Sequence, residues 1–324
     1  MSEISKLVTQ NHPLKDLNWW KVGGAAEFFS APVSVEELEL VYKWAVTSEK
    51  KIWVISGGSN VLVRDGVVSG LVLSLHHLKG IVSQDTIKRS EDSSDSIKTS
   101  GDKVNSSGVL QIKCLSGTPK SDVAKIFLQN KLAPAVFLTG IPGDMGGGVV
   151  MNAGIGESRI PREFCEIVKE IEVLRFDSST DQTQIITYAG SSLKWEYRHS
   201  SGWQPGVITK VTVAWPMEPD PIVLQEVKAQ TKKRVSTQPL DLPSCGSVFR
   251  NPVGHKSAQL IEGCGLKGFR IGGACVSTKH ANFIVNDQGA KASDIRAVIE
   301  HVQNTVRTHK GIELKTEVVF IGDE

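Results

Sequence analysis

The sequence lacks the features that mark several specialised classes of protein. None of its apolar runs is long enough for a membrane-spanning helix, and residues 1–15 have no apolar centre of the kind found in signal peptides. The net charge of +2 gives no electrostatic case for a nucleic-acid partner. The five cysteines and eight histidines show no zinc-like spacing. We therefore expect reduced thiols, no metal and a cytoplasmic protein.

Two common nucleotide-binding motifs are also missing. No glycine-rich loop ends in Gly-Lys-Ser or Gly-Lys-Thr, and no Gly-x-Gly-x-x-Gly is followed by an acidic residue about 20 positions later. These absences exclude a P-loop and argue against a Rossmann-type nicotinamide site.

The length and the hydrophobic pattern describe a globular chain of mixed structure. The 324 residues suggest two or three domains at roughly 100–200 residues each. Residues 34–45 predict a helix with a capping box formed by Ser34 and Glu37. Residues 293–309 predict an amphipathic helix that Ser293 caps. The polar stretch 86–108 predicts a flexible surface insertion.

Two glycine-rich segments, 57–63 and 139–154, are candidate cofactor loops. Consecutive amides that no side chain shields can cradle a pyrophosphate, although either segment alone is also typical of tight turns. The candidate cofactor-binding residues are Gly57, Gly58, Ser59, Asn60, Val61, Thr139, Gly140, Ile141, Pro142, Gly143, Gly146, Gly147, Asn152 and Gly154.

The segment 246–252 combines a small, close-approaching backbone with polar side chains. Ser247 follows Gly246, and its hydroxyl can exchange a proton with a reacting carbon. Arg250 and Asn251 can orient a phosphate or a carboxylate. The neighbouring Cys245 has no adjacent histidine to activate it, so we expect a small loop filler whose side chain points away from Ser247.

Nine motifs occur along the chain in an order that resembles the MurB family of UDP-N-acetylenolpyruvoylglucosamine reductases. Each motif alone is weak, but the ordered set covers nearly the whole length and is specific. The chain is most similar to the subgroup that lacks an additional tyrosine-bearing loop in the last domain. The matching segments are 21–27, 57–65, 140–143 with 151–154, 197–200, 238–240, 246–252, 266–274, 279–286 and 316–318.

The resemblance implies an α+β protein with an FAD-binding fold of the vanillyl-alcohol oxidase (PCMH) type. Two FAD-binding subdomains would cover residues 1–80 and 81–217, and a C-terminal α+β substrate domain would cover 218–324. It further implies non-covalently bound FAD, NADPH as reductant, and conversion of UDP-N-acetylglucosamine enolpyruvate to UDP-N-acetylmuramate. That reaction belongs to peptidoglycan synthesis, and so to cell wall biogenesis, cell shape, the cell cycle and cell division. The default oligomeric state is a monomer.

The resemblance also implies three catalytic side chains: Arg198, Ser247 and Glu317. Reduction of an enol ether conjugated to a carboxylate places negative charge on the carboxylate side. A guanidinium can stabilise that charge, with Glu317 holding the arginine or polarising the carboxylate. The Ser247 hydroxyl then protonates the adjacent carbon. The predicted substrate-binding residues are Tyr197, Arg250 and Asn251.

Two other functions remain open from the sequence. One is an oxidase of the same fold that passes electrons to oxygen, and the other is a non-catalytic relative that binds flavin or a nucleotide sugar. Residues 246–251 and Glu317 argue against the oxidase, and the intact catalytic set argues against the non-catalytic relative. Departures from the family pattern at Ala25, 144–145 and 155–157 concern the flavin contacts. His280 is equally consistent with a structural and a substrate-facing position.

Overall fold

A computed structural model of the chain describes residues 4–87, 108–156 and 159–323. The strands are β1 (Thr9–Pro13), β2 (Ala25–Ser30), β3 (Ile52–Ile55), β4 (Val61–Val63), β5 (Val67–Ser74), β6 (Ile81–Ile87), β7 (Val109–Leu115), β8 (Val168–Asp177), β9 (Gln182–Ala189), β10 (Lys194–Glu196), β11 (His199–Ser201), β12 (Val207–Pro216), β13 (Arg270–Ile271), β14 (Ala274–Val276), β15 (Ile284–Asn286) and β16 (Val319–Ile321). The helices are α1 (Ile4–Leu7), α2 (Val35–Thr47), α3 (Lys120–Gln129), α4 (Pro134–Gly140), α5 (Met145–Val150), α6 (Val223–Thr237), α7 (Ser257–Glu262) and α8 (Ala292–Lys310).

The chain forms two compact units. Unit 1 contains the residues up to His77, Phe176–Thr183 and the residues from Thr231 onward, and unit 2 contains Leu78–Arg175 and Gln184–Gln230. The division into domains 1–80, 81–217 and 218–324 remains a prediction.

Unit 1 is built on three small sheets. Strands β1, β2, β5 and β3 form one sheet in that order, in which β5 runs parallel to both β2 and β3. Strand β16, near the C-terminus, pairs in parallel with β4, the strand in which the first glycine-rich segment ends. The third sheet has the order β13-β14-β15 and packs its apolar side chains with those of α8.

The N-terminus of α2 follows the sequence prediction with one difference. The Ser34 side chain accepts a hydrogen bond from the Glu37 N–H at 3.2 Å, as expected for an N-cap. The Glu37 carboxylate, however, accepts from the N–H of Val33 at 2.9 Å instead of returning to Ser34.

Helix α8 begins earlier than the sequence predicts. Ser293 lies inside the helix rather than at its cap, and Lys291 occupies the N-cap position. Two carboxylates satisfy this end: Asp294 accepts from the Lys291 N–H at 3.0 Å, and the distant Asp65 accepts from the N–H groups of Ala292 at 3.1 Å and Ser293 at 2.9 Å. Gly311, just past the predicted end at residue 309, ends the helix in the left-handed conformation that favours glycine.

Unit 2 contains a five-stranded sheet in the order β6-β7-β12-β8-β9. The central strand β12 is antiparallel to both of its neighbours. Helices α3 and α4 supply Phe127 and Phe137, which are fully buried in the apolar core of this unit together with Phe164.

The second glycine-rich segment is more helical than the sequence predicts. The sequence predicts a loop in this segment, but α4 ends at Gly140, α5 starts at Met145, and only 141–144 connect them. Glycine is a poor helix former, so local propensity favours the loop. The helix nevertheless forms, and the close packing of the buried Phe164 requires a glycine within it, because a Cβ at Gly148 would overlap the phenyl ring.

The predicted insertion 86–108 is shorter in the structure. Thr86 and Ile87 belong to β6, where they pair with Leu110 and Val109 of β7. The rest of the predicted insertion, 88–107, lies outside the described residues.

Deleting residues 88–106 should leave activity and bound flavin unchanged. The deletion joins the paired ends of β6 and β7 through Ser107 and Gly108, a two-residue connection suited to an antiparallel hairpin. Steady-state turnover and the visible flavin spectrum of the shortened protein test this expectation. Loss of either would show that the segment acts in catalysis or in flavin binding.

Candidate functional site

The first glycine-rich segment presents a row of backbone donors. The N–H groups of Gly57, Gly58, Ser59 and Asn60 meet no hydrogen-bond acceptor among the described residues. Gly58 has a φ of +62°, and a Cβ there would overlap the Leu17 carbonyl. Consecutive unpaired amides of this kind suit an anion such as a pyrophosphate. The segment therefore fits the predicted flavin-binding role.

Cys245 links this segment to the predicted catalytic serine. Its thiol donates to the carbonyl of Val61 at 3.3 Å and lies 3.8 Å from that of Gly58. Burial raises the pKa of the Cys245 thiol to about 12, so the thiol stays protonated at neutral pH. Cys245 is therefore a buried structural side chain, as the sequence predicts, and not a nucleophile.

Ser247 and Glu317 are brought together by the backbone. The N–H of Glu317 donates to the carbonyl of Val248 at 2.8 Å, and the next bond in this pairing joins Arg250 N–H to the Lys315 carbonyl at 2.9 Å. Ser247 is half-buried, and its hydroxyl has no hydrogen-bond partner within the described part of the chain.

Asn60 connects Glu317 to the flavin segment. Its side-chain amide donates to the Glu317 carbonyl at 3.0 Å, while its own carbonyl accepts from Val319 N–H at 3.0 Å. Unit 1 thus places the unpaired amides at 57–60, the Ser247 hydroxyl and Glu317 on neighbouring, hydrogen-bonded segments.

Arg250 and Asn251 differ in their readiness for a ligand. The Arg250 Nε is buried and has no hydrogen-bond partner among the described residues, which is costly unless a ligand supplies one. The Asn251 Oδ1 is already bound by Ser257 N–H at 3.0 Å, at the start of α7. Arg250 is therefore well placed for an anionic substrate group, and Asn251 shapes the loop that carries it.

Arg198 lies in unit 2 on a strained turn between β10 and β11. Its φ is +60°, a conformation that non-glycine residues rarely adopt and that often marks functional positions. One guanidinium nitrogen donates to the Gly154 carbonyl at 2.7 Å, and the guanidinium lies 4.9 Å from the centre of the Tyr197 ring. Tyr197 itself is 44% exposed and so accessible to a substrate.

Asn152 holds the turn that carries Arg198. Its side-chain nitrogen donates to the Glu163 carboxylate at 2.9 Å and to the Glu196 carbonyl at 3.1 Å, and its oxygen accepts from Cys165 N–H at 3.0 Å. Both side-chain protons are thus engaged by the protein. The predicted flavin contact of Asn152 remains a prediction, but the structure gives its side chain a scaffolding role.

In the second glycine-rich segment, Gly146 and Gly147 differ in whether they could contact a ligand. The Gly146 N–H donates to the Ser116 carbonyl at 2.7 Å and is not available to a phosphate. A Cβ at Gly147 would meet nothing within 4 Å, so open space lies beside that residue. The flavin contacts of Thr139, Gly140, Ile141, Pro142, Gly143 and Gly147 remain predictions.

A buried lysine that no sequence pattern predicts contacts this segment. The ammonium of Lys120 donates to the Pro142 carbonyl at 2.6 Å, and its N–H donates to the Gly143 carbonyl at 3.0 Å. Burial lowers the pKa of Lys120 to about 8, although the nearby Asp144 opposes this shift. A lysine in the first turn of a polar helix looks like a surface residue in sequence, so no local signal marked it.

Lys120 should make the stability of the fold depend on pH. Because its pKa in the folded state lies below the unfolded value of about 10.4, the unfolded state binds more protons between the two values, and stability rises with pH there. Compared with Lys120→Met, the wild type should gain about 3 kcal/mol in unfolding free energy between about pH 7 and pH 11. Denaturant titrations measure this difference. The exposed Lys125 on the same helix is the control, and identical pH curves for Lys120→Met and Lys125→Met would contradict the assignment.

His280 has a local structural role. Its Nδ1 accepts from the Asn282 N–H at 3.3 Å, its ring contacts that of Phe283 edge to face, and burial lowers its pKa.

Within the described ranges no group of three or more His, Cys, Asp or Glu is arranged to hold a metal ion. No helix in these ranges has both the length and the apolar character needed to cross a bilayer. The five cysteines are free thiols.

The fold and the amide-lined segment define a flavoprotein with an FAD-binding fold of the vanillyl-alcohol oxidase type. Residues 26–180 match the family model of the FAD binding domain. Residues 238–321 match that of the UDP-N-acetylenolpyruvoylglucosamine reductase C-terminal domain. The chain belongs to the UDP-N-acetylenolpyruvoylglucosamine reductase (MurB) family.

Similar proteins extend over nearly the full chain. The reductase of Synechococcus sp. (strain RCC307) is 37% identical over 96% of this chain and 92% of its own. That of Listeria monocytogenes is 34% identical over 97% of this chain and 95% of its own. The crystal structure of MurB from Thermus caldophilus superposes with a TM-score of 0.69 at 27% identity, covering 97% of each chain. The predicted fold, FAD cofactor, NADPH reductant and reductase activity are thereby confirmed, whereas the subgroup remains a prediction.

Proposed function

We propose that this protein reduces UDP-N-acetylglucosamine enolpyruvate to UDP-N-acetylmuramate with NADPH, and that Ser247 delivers the proton that completes the reduction. The observation that carries the proposal is the position of the Ser247 hydroxyl. It has no partner within the described part of the chain, and its segment is hydrogen-bonded to that of Glu317 and joined through Cys245 to the amide-lined segment 57–60. The proposed proton donor, Glu317 and the proposed flavin-binding loop thus lie on hydrogen-bonded segments of unit 1.

FAD, when bound, carries two electrons from NADPH to the enolpyruvyl double bond. The amides of residues 57–60 would hold its anionic portion, with the segment at 139–147 as a second contact. Neither segment contains a histidine or cysteine, the common tethering side chains. We therefore expect the flavin to bind without a covalent bond, so that acid precipitation should release it from the protein.

The positive side chains act on the charge of the substrate. As the double bond accepts electrons, negative charge grows towards the substrate carboxylate, and Arg198 stabilises it. The bond from its guanidinium to the Gly154 carbonyl fixes the direction of the side chain before substrate arrives. Arg250 offers its unpaired Nε to an anionic group of the nucleotide sugar. Glu317 polarises the substrate carboxylate.

Ser247 is the proton donor to the substrate carbon because the neighbouring Cys245 cannot take this role. The Cys245 thiol is directed to the carbonyls of the flavin segment and has a pKa of about 12. The serine hydroxyl gives its proton to the carbanion-like carbon. The resulting alkoxide takes up a proton from solvent before the next cycle.

NADPH and the enolpyruvyl substrate should use one site in turn, because no separate nicotinamide-binding fingerprint exists in the sequence. Steady-state kinetics at several fixed NADPH concentrations should give parallel double-reciprocal lines, whereas intersecting lines would indicate a ternary complex. We further propose that the protein acts in the cytoplasm and as a monomer. Sedimentation analysis tests the monomer, and a concentration-dependent dimer would contradict it.

A further inference from the structure

The two residues after Ser247 have all four of their backbone polar groups bound by two other residues. The Val248 N–H donates to the Asn282 carbonyl at 2.8 Å, and the Val248 carbonyl accepts from Glu317 N–H at 2.8 Å. The Phe249 N–H donates to Asn282 Oδ1 at 3.0 Å, and the Phe249 carbonyl accepts from Asn282 Nδ2 at 2.8 Å. Asn282 therefore supplies three of the four bonds.

These bonds lie in the interior of unit 1. Asn282 is 4% exposed, Phe249 2% and Val248 0%. Solvent cannot easily replace a lost partner there, and an unmade bond in such a place is costly. The side-chain amide of Asn282 acts as a strand would, giving Phe249 both a donor and an acceptor.

The position of Asn282 is itself fixed. Its own N–H donates to His280 Nδ1 at 3.3 Å, and the Phe283 N–H donates to the His280 carbonyl at 3.0 Å in the turn that precedes β15. The side chain thus projects from a hydrogen-bonded turn, not from a free loop. It can set where the Ser247 segment lies.

We propose that Asn282 is a positioning residue for the protonation step, because it holds the Ser247 segment in register with Glu317. The inference rests on the proposed role of Ser247. Asn282 does not meet the substrate. It fixes the backbone from which the serine hydroxyl projects, and a displacement of about 1 Å at a reacting group can cost about 100-fold in rate.

The test compares Asn282→Ala with Asn286→Ala in stopped-flow half reactions of the FAD-loaded enzyme. Asn286 is a matched control, since it is 9% exposed and its side chain also makes two backbone bonds, to the Trp20 carbonyl at 2.8 Å and from Ala290 N–H at 2.7 Å. Asn282→Ala should reduce flavin with NADPH at the normal rate and lose about 100-fold in reoxidation by the enolpyruvyl substrate. Asn286→Ala should keep both rates, although both variants should unfold at lower temperature.

A second variant keeps the test informative if Asn282→Ala does not fold. Asn282→Asp fills the same volume and can accept from Phe249 N–H. When ionised, its carboxylate has no donor for the Phe249 carbonyl, so the same split between half reactions is expected and should be greatest at alkaline pH. Equal slowing of both half reactions, or the same split in Asn286→Ala, would overturn the positioning role. Normal reoxidation in Ser247→Ala would remove the role of the serine itself. If reoxidation were slow in Ser247→Ala but normal in Asn282→Ala, only the positioning role of Asn282 would be overturned.

Discussion

The Ser247→Ala variant should bind FAD and accept electrons from NADPH at a near-normal rate, but its reoxidation by the enolpyruvyl substrate should slow by about 10³–10⁴-fold, at the upper end of general acid catalysis. The large effect follows from the surroundings of the serine. Cys245 keeps its proton, and its thiol is committed to the carbonyl of Val61, so it offers no substitute donor.

Stopped-flow absorbance of the flavin separates the two half reactions of Ser247→Ala. The control is Ser244→Ala, which removes a buried hydroxyl from the same segment and should leave both rates unchanged. Equal slowing of flavin reduction and reoxidation in Ser247→Ala, or no slowing of either, would show that Ser247 is a structural turn residue.

Arg198→Lys should lower the rate of substrate-dependent reoxidation by about 100-fold while NADPH-dependent reduction stays normal. Lysine keeps the positive charge, but it lacks the planar, forked guanidinium that can contact the Gly154 carbonyl and still face a carboxylate. It also keeps a non-glycine residue at the φ of +60°, so the backbone strain is the same in both proteins.

Arg159→Lys is the matched control for Arg198→Lys. Arg159 lies in the same unit and forms ion pairs with Asp220 at 2.7 Å and Glu226 at 3.0 Å. Its replacement should affect stability and leave the half reactions unchanged. If Arg159→Lys and Arg198→Lys lowered reoxidation alike, the specific role of Arg198 would be lost.

Local sequence signals predict the helix ends correctly where the hydrogen-bond partners lie only a few residues apart in the sequence. Ser34 caps α2, and Gly311 ends α8, because the partners of these residues lie within a few positions. The order of the short motifs along nearly the whole chain was enough to identify the family, although each motif alone is weak.

The sequence failed where a distant residue decides the local structure. Asp65, 227 positions before Ala292, binds the first N–H groups of α8, and the ring of Phe164 packs against Gly148 of α5. The bonds from Asn282 to Phe249 and the burial of Lys120 are likewise visible only in three dimensions. Propensity and spacing carry no information about such partners.

The most direct test of the account is an anaerobic titration of the purified protein. NADPH should bleach the visible absorbance of the bound flavin, and UDP-N-acetylglucosamine enolpyruvate, added after the NADPH is consumed and without oxygen, should restore it mole for mole. A flavin that stays bleached with this substrate and recovers only when oxygen is admitted would contradict the account and indicate an oxidase of the same fold.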